Sequence, residues 1–161
     1  MPTSTARNYY ELYTGGDAII RIQSLPTANP KAFENEWLDF KSGMAVREPV
    51  NLEKLWSIAV GAFANNEGGV LLFGIDARKD PNTDIDAAHS LALVPDVNWL
   101  VSKLTESSRF ATDPPVTGIE YTALPLNSST GEGFVVCLIP EGRTKPYRSE
   151  LAGKRFYLRM G

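Results

Sequence analysis

The chain has 161 residues, 43% of them apolar and 22% charged, with a formal net charge of -3. That is about one ordinary globular domain, too apolar for disorder and long enough to bury a core without staples. A single cysteine excludes an intrachain disulfide, no stretch approaches the ~18 apolar residues of a membrane span, and the start lacks the pattern of a signal peptide, so a reducing cytoplasm is the expected setting. Net acidity speaks against nucleic-acid binding by bulk electrostatics, and the absence of a G-x-x-x-x-G-K-[ST] loop excludes a Walker-type ATPase.

Residues 3–14 predict a short helix, capped by Thr3 or Ser4, with Tyr9, Leu12 and Tyr13 on one face and Gly15-Gly16 at its end. Residues 17–25 fit either a second short helix capped by Asp17 or a strand. Pro26, Asn29 and Pro30 then break the chain, so residues 1–32 are expected to form an arm packed on, or appended to, a domain of residues 33–161. From Phe33 the pattern predicts a strand ending at Ser42-Gly43, with Asp39 and Lys41 on one side of it and Glu34 near its start. A carboxylate two residues from a cation suits metal and phosphate chemistry, and it equally suits a surface ion pair.

Asn51 is read as the N-cap of a helix whose Leu52, Leu55, Trp56, Ala59, Ala62 and Phe63 share an apolar face. Gly68 and Gly69 supply a cap and turn without a Cβ penalty. Val70, Leu71, Leu72, Phe73 and Ile75 show no alternation, which predicts a central strand covered on both faces. Asp76 then stands where that strand reaches water, as a functional carboxylate or as the start of a polar loop through Asn82. His89 has no companion at ligand spacing and is read as a surface or packing residue, without zinc.

Asp96 predicts a second helix cap, followed by Val97, Leu100, Val101 and Leu104 on one face. Residues 116–124 and 134–139 predict a β-hairpin around the turn at 127–133, with Cys137 as a small core residue. Two short extended pieces follow, at Pro146-Tyr147 and at residues 155–159. Arg143, Lys145, Arg148, Lys154, Arg155 and Arg159 face Glu150 alone in this last part, as a phosphate-gripping face or as solvated charge. The order of elements suits an α+β fold, a mixed sheet with helices packed mainly on one side.

Several ordered motifs together resemble a known family. Glu34-Asn35-Glu36-Trp37-Leu38-Asp39-Phe40-Lys41 is similar to its strand E-x-x-x-x-E-F-K, Ala62-Phe63-Ala64-Asn65 with Gly68-Gly69 to its A-F-A-N-x-x-G-G turn, and Gly74-Ile75-Asp76 to its G-V-D strand end. Ile139-Pro140, Lys145-Pro146 and the closing Phe156 to Gly161 match its last elements. The chain thus resembles, over residues 33–161, the Schlafen-type, Alba-like nucleic-acid-binding domain. The resemblance implies a nucleic-acid-facing domain, RNA favoured over DNA. In the family's ribonuclease members, three acidic residues use divalent metal to cut tRNA or rRNA. Glu34, Asp39 and Asp76 occupy the matching positions as catalytic and metal-binding acids for Mg2+ or Mn2+, with Lys41 as the neighbouring cation. Asp39 stands where glutamate is usual, which retracts that carboxylate by about one methylene. A non-catalytic DNA-binding or regulatory module, and a protein-interaction module built on the tyrosine-rich arm, are the alternatives. Self-association and further domains after residue 161 stay open.

Overall fold

Residues 3–159 are described in the computed structural model of the chain. In order they form α1 (Thr5–Leu12), α2 (Ala18–Ser24), β1 (Leu38–Lys41), α3 (Pro49–Asn65), β2 (Gly69–Phe73), β3 (Ile75–Lys79), β4 (Asp86–Leu91), α4 (Val97–Ser107), β5 (Thr112–Asp113), β6 (Glu120–Pro125), β7 (Gly133–Ile139), β8 (Arg148–Ser149) and β9 (Arg155–Phe156). Local chemistry explains most of the boundaries. The Ser4 hydroxyl accepts the Arg7 N–H at the start of α1, and the Asp96 carboxylate accepts the Trp99 N–H at the start of α4. The ambiguity at residues 17–25 resolves to helix because Ala18 and Ile22, four apart, are both buried on one side.

The start of α3 corrects the cap expected at Asn51. Pro49 takes the first turn, where a missing N–H costs nothing, and Asn51 lies inside that turn with its amide donating to Glu48 Oε2 at 2.6 Å. At the other end Gly68, with φ of +79°, closes the helix. Gly69 is needed for a different reason: a Cβ there would stand 2.1 Å from the Phe63 ring.

The central sheet runs β1-β2-β7-β6, with β1 parallel to β2 and the other two pairs antiparallel. The expectation for residues 70–73 holds, since β2 is buried throughout and lies between two layers. Leu71 and Phe73, with Val135, Cys137 and Ile139 of β7, pack against Trp56, Phe63, Leu100 and Leu104 of α3 and α4. Val70 and Leu72, with Val136 and Leu138, pack with Leu38 and Phe40 of β1 and with Tyr10, Tyr13, Ile22 and Leu25 of the arm. The two long helices therefore share one face, and the two short helices of the arm cover the other. Burial pushes the Cys137 thiol pKa up, as befits a core side chain.

Two readings of the middle of the chain change. Gly74, at φ +122°, ends β2 and turns the chain out of the central sheet, so Ile75 and Asp76 belong to a separate strand, β3, paired with β4. Residues 77–79 complete that strand and are not a loop; Arg78 and Lys79 lie at its exposed end. The strand expected from Val116 begins only at Glu120, and β5, β8 and β9 form a small third sheet. His89 is exposed on β4. Among the described residues no helix is long and apolar enough to cross a membrane.

The arm is tied down by polar bonds as well as by burial. Arg7 forms a two-pronged ion pair with Glu120, and the Tyr10 hydroxyl bonds to Thr122 Oγ1, both on β6. Tyr10→Phe keeps the buried ring and loses only this bond, so it is expected to cost about 1 kcal/mol, read as a small fall in thermal midpoint.

Candidate nucleic-acid interface

Alternation along β1 sends Leu38 and Phe40 to the arm side and leaves Asp39 and Lys41 on the side of α3. Facing them, Asn51, Lys54, Leu55, Ile58, Ala59 and Ala62 recur along α3 at alternating spacings of three and one, so they form one stripe. Between strand and helix lies an open groove of about 310 Å³, and Arg159 from the end of the chain completes its wall. Lys41 Nζ is 3.5 Å and Arg159 Nη1 3.3 Å from Asp39 Oδ2, whose side chain is 10% exposed. Lys54 is exposed at the rim and has no acidic partner among the described residues. Two cations thus meet at one nearly buried carboxylate, a third stands at the rim, and the groove is positive overall.

The motif asparagines hold Arg159 there. Asn65 donates to the carbonyls of Tyr147 and Tyr157 at 2.9 and 3.0 Å and accepts the Tyr147 N–H at 2.6 Å. Asn66 bonds both the N–H and the carbonyl of Arg159, each at 3.0 Å. The guanidinium then lies 4.7 Å from the centre of the Phe63 ring, as a cation on an aromatic face, and donates to the Asn35 carbonyl at 2.6 Å. The A-F-A-N turn is therefore a clamp that returns the end of the chain to β1. Met160 and Gly161 of the closing motif lie outside the described residues.

The expected acids divide. Glu34 joins Asp39: its Oε2 accepts the Phe40 N–H at 2.8 Å, and its pKa is pushed up to about 9, first by burial and then by the neighbouring Asp39. Burial beside Asp39 thus favours the protonated form of Glu34. Asp76, beyond the Gly74 turn, is bound to Arg78 at 3.1 Å and does not line the groove. Among the described residues no three Asp, Glu, His or Cys side chains gather as a metal-binding group. With Asp39 held by two cations and Asp76 bound to Arg78 outside the groove, the donor set as arranged does not fit a divalent ion.

The basic residues divide too. Lys145 pairs with Glu141 at 2.6 Å, and Arg148 binds Glu150 through two bonds of 2.8 Å and approaches Asp113 at 3.8 Å. Arg143, Lys154 and Arg155 are exposed without an acidic partner among the described residues. Lys54 and the clamp were missed from sequence. The signal was present: Lys54 stands on the same stripe as Leu55 and Ile58, and two asparagines precede the glycine pair.

A raised pKa in the folded state gives Glu34 a stability contribution that is complete below about pH 4.5 and is lost as pH rises through about 9. Glu34→Gln keeps the shape and hydrogen bonds of the protonated acid. Its thermal midpoint is expected to fall less than that of the parent between pH 4.5 and 9, in melts across that window.

The family model described as Schlafen, AlbA_2 matches residues 34–161. No curated protein matches the chain. Among solved structures, the N-terminal domain of a RecG-related protein from Nitrosomonas europaea aligns with a TM-score of 0.58 at 19% identity, covering 91% of this chain and 90% of that one. The DIP2311 protein from Corynebacterium diphtheriae aligns at 0.45 and 19%, covering 89% of this chain and 25% of that one. The first of these agrees with the α+β, Alba-like fold. With strand, turn and closing motif each assigned a place in that fold, the chain belongs to the Schlafen, AlbA_2 family, a nucleic-acid-related domain.

Proposed function

We propose that this domain binds nucleic acid in the groove between β1 and α3, with Lys41, Lys54 and Arg159 on phosphate oxygens. The observation that carries this is the lining of one groove by three cations, Lys41 and Arg159 paired to Asp39 and Lys54 exposed at the rim. Asp39 lies beneath Lys41 and Arg159 and fixes their positions, leaving their outer donors for a ligand. Arg143, Lys154 and Arg155 are proposed as outer contacts, and RNA as the preferred ligand.

The test is fluorescence anisotropy with labelled RNA and DNA of one sequence over a range of salt. Affinity is expected to fall linearly on logarithmic axes, by about 0.7 for each phosphate held on a single strand. Failure of both ligands to bind, or binding indifferent to salt, overturns the reading and favours the protein-interaction alternative.

A second reading rests on the meeting of Glu34 and Asp39: hydrolysis of RNA with Mg2+ or Mn2+ once Asp76 is brought to them. The arrangement described above lacks that third donor, so tRNA incubated with either ion is expected to stay intact. Metal-dependent cutting that disappears in Asp76→Ala would establish the catalytic reading instead.

A further inference from the structure

The cations occupy only part of the groove. Leu55 and Ile58, both half-buried, and the small Ala59 and Ala62 between them and the strand form an apolar strip on α3 directly beside the charged wall. A phosphate leaves this strip uncovered, and so does a duplex, whose outward face is sugar and phosphate while its bases are stacked inside. A ligand that covers both walls carries an anion and a flat apolar face within a short distance of each other. An unpaired nucleotide has that form, and the volume of about 310 Å³ falls at the lower end of the ~300–1,000 Å³ range of small-ligand pockets.

We infer that the groove takes one unpaired nucleotide of a single-stranded or locally opened nucleic acid, its phosphate on Lys41, Lys54 and Arg159 and its base along Leu55 and Ile58. This rests on the reading of the groove as a nucleic-acid site and adds the class of strand it accepts. The base is held through its face, which every base possesses, so little sequence preference follows. Ala59 and Ala62 matter by being small, since larger side chains there would fill the space between helix and strand.

The experiment compares a labelled single strand with the blunt duplex of the same sequence at one salt concentration, using adenosine 5′-monophosphate and ribose 5-phosphate as competitors. The single strand is expected to bind about tenfold more tightly than the duplex, and the nucleotide to compete better than the sugar phosphate. Ile58→Asp, which also sets a negative charge beside the cations, is expected to weaken the single strand more than the duplex and so to abolish that preference. Ile58→Ala, a milder change, reduces it if the charged variant does not fold. Equal or tighter binding of the duplex, or a ratio that neither Ile58 variant alters, overturns the inference. In that outcome, salt-dependent binding weakened by Lys54→Glu would still uphold the groove as a phosphate site. Loss of all binding would remove both.

Discussion

Replacing Lys41 and Lys54 together by glutamine is expected to weaken nucleic-acid binding by about a hundredfold. A charge-assisted contact to phosphate is worth roughly 1.5 kcal/mol, close to tenfold in affinity. The two lysines stand on different elements and are not bonded to each other, so their losses should add. The salt slope should also fall by about 1.4 on a single strand, because two phosphate contacts are lost. Glutamine is polar and neutral, and neither lysine is buried, so the fold should survive. The control is Lys79→Gln with Lys103→Gln, which changes the net charge equally at two exposed positions outside the groove. Equal weakening in both double variants would mean that overall charge, and not the groove, attracts the ligand.

Asn65→Ala is expected to cost about 3 kcal/mol, from three hydrogen bonds of about 1 kcal/mol each. In a domain of this size that lowers the thermal midpoint by about 10 °C. The loss should extend to binding, because Tyr157 is two residues from Arg159 and its release frees the segment that carries the guanidinium into the groove. Asn65→Asp makes the cause visible. It keeps the acceptor for the Tyr147 N–H, loses both donors and sets a negative charge against two carbonyls, so it should be at least as damaging. A melt in which Asn65→Asp matches the parent would contradict the clamp.

The two effects differ in how far they could be seen before folding. Lys41 was singled out because alternation along a strand sets it beside Asp39. Lys54 was not, since a lone lysine on an amphipathic helix ordinarily points to solvent, and only the packing of β1 and of the distant Arg159 against α3 makes it one side of a groove. Likewise the end of the helix was legible from the glycine pair, a local property, whereas the partners of Asn65 and Asn66 lie some eighty to ninety residues further on. The expected acidic triad failed to assemble for a similar reason. Gly74 was read as part of one apolar run, but its positive φ diverts the strand that bears Asp76 into a separate hairpin.

What the sequence by itself determined is the set of local elements: the α3 helix and its glycine turn, a β2 strand buried on both faces, the Asp96 cap, the β6–β7 hairpin and a core cysteine. Each follows from periodicity, capping or turn chemistry within a few residues. Only the tertiary structure decided that the arm covers the second face of the sheet, that the end of the chain is clamped to α3, and that Lys41, Lys54 and Arg159 share one groove while Asp76 stands outside it. Those outcomes depend on packing between segments distant in sequence, which no local pattern of side chains encodes.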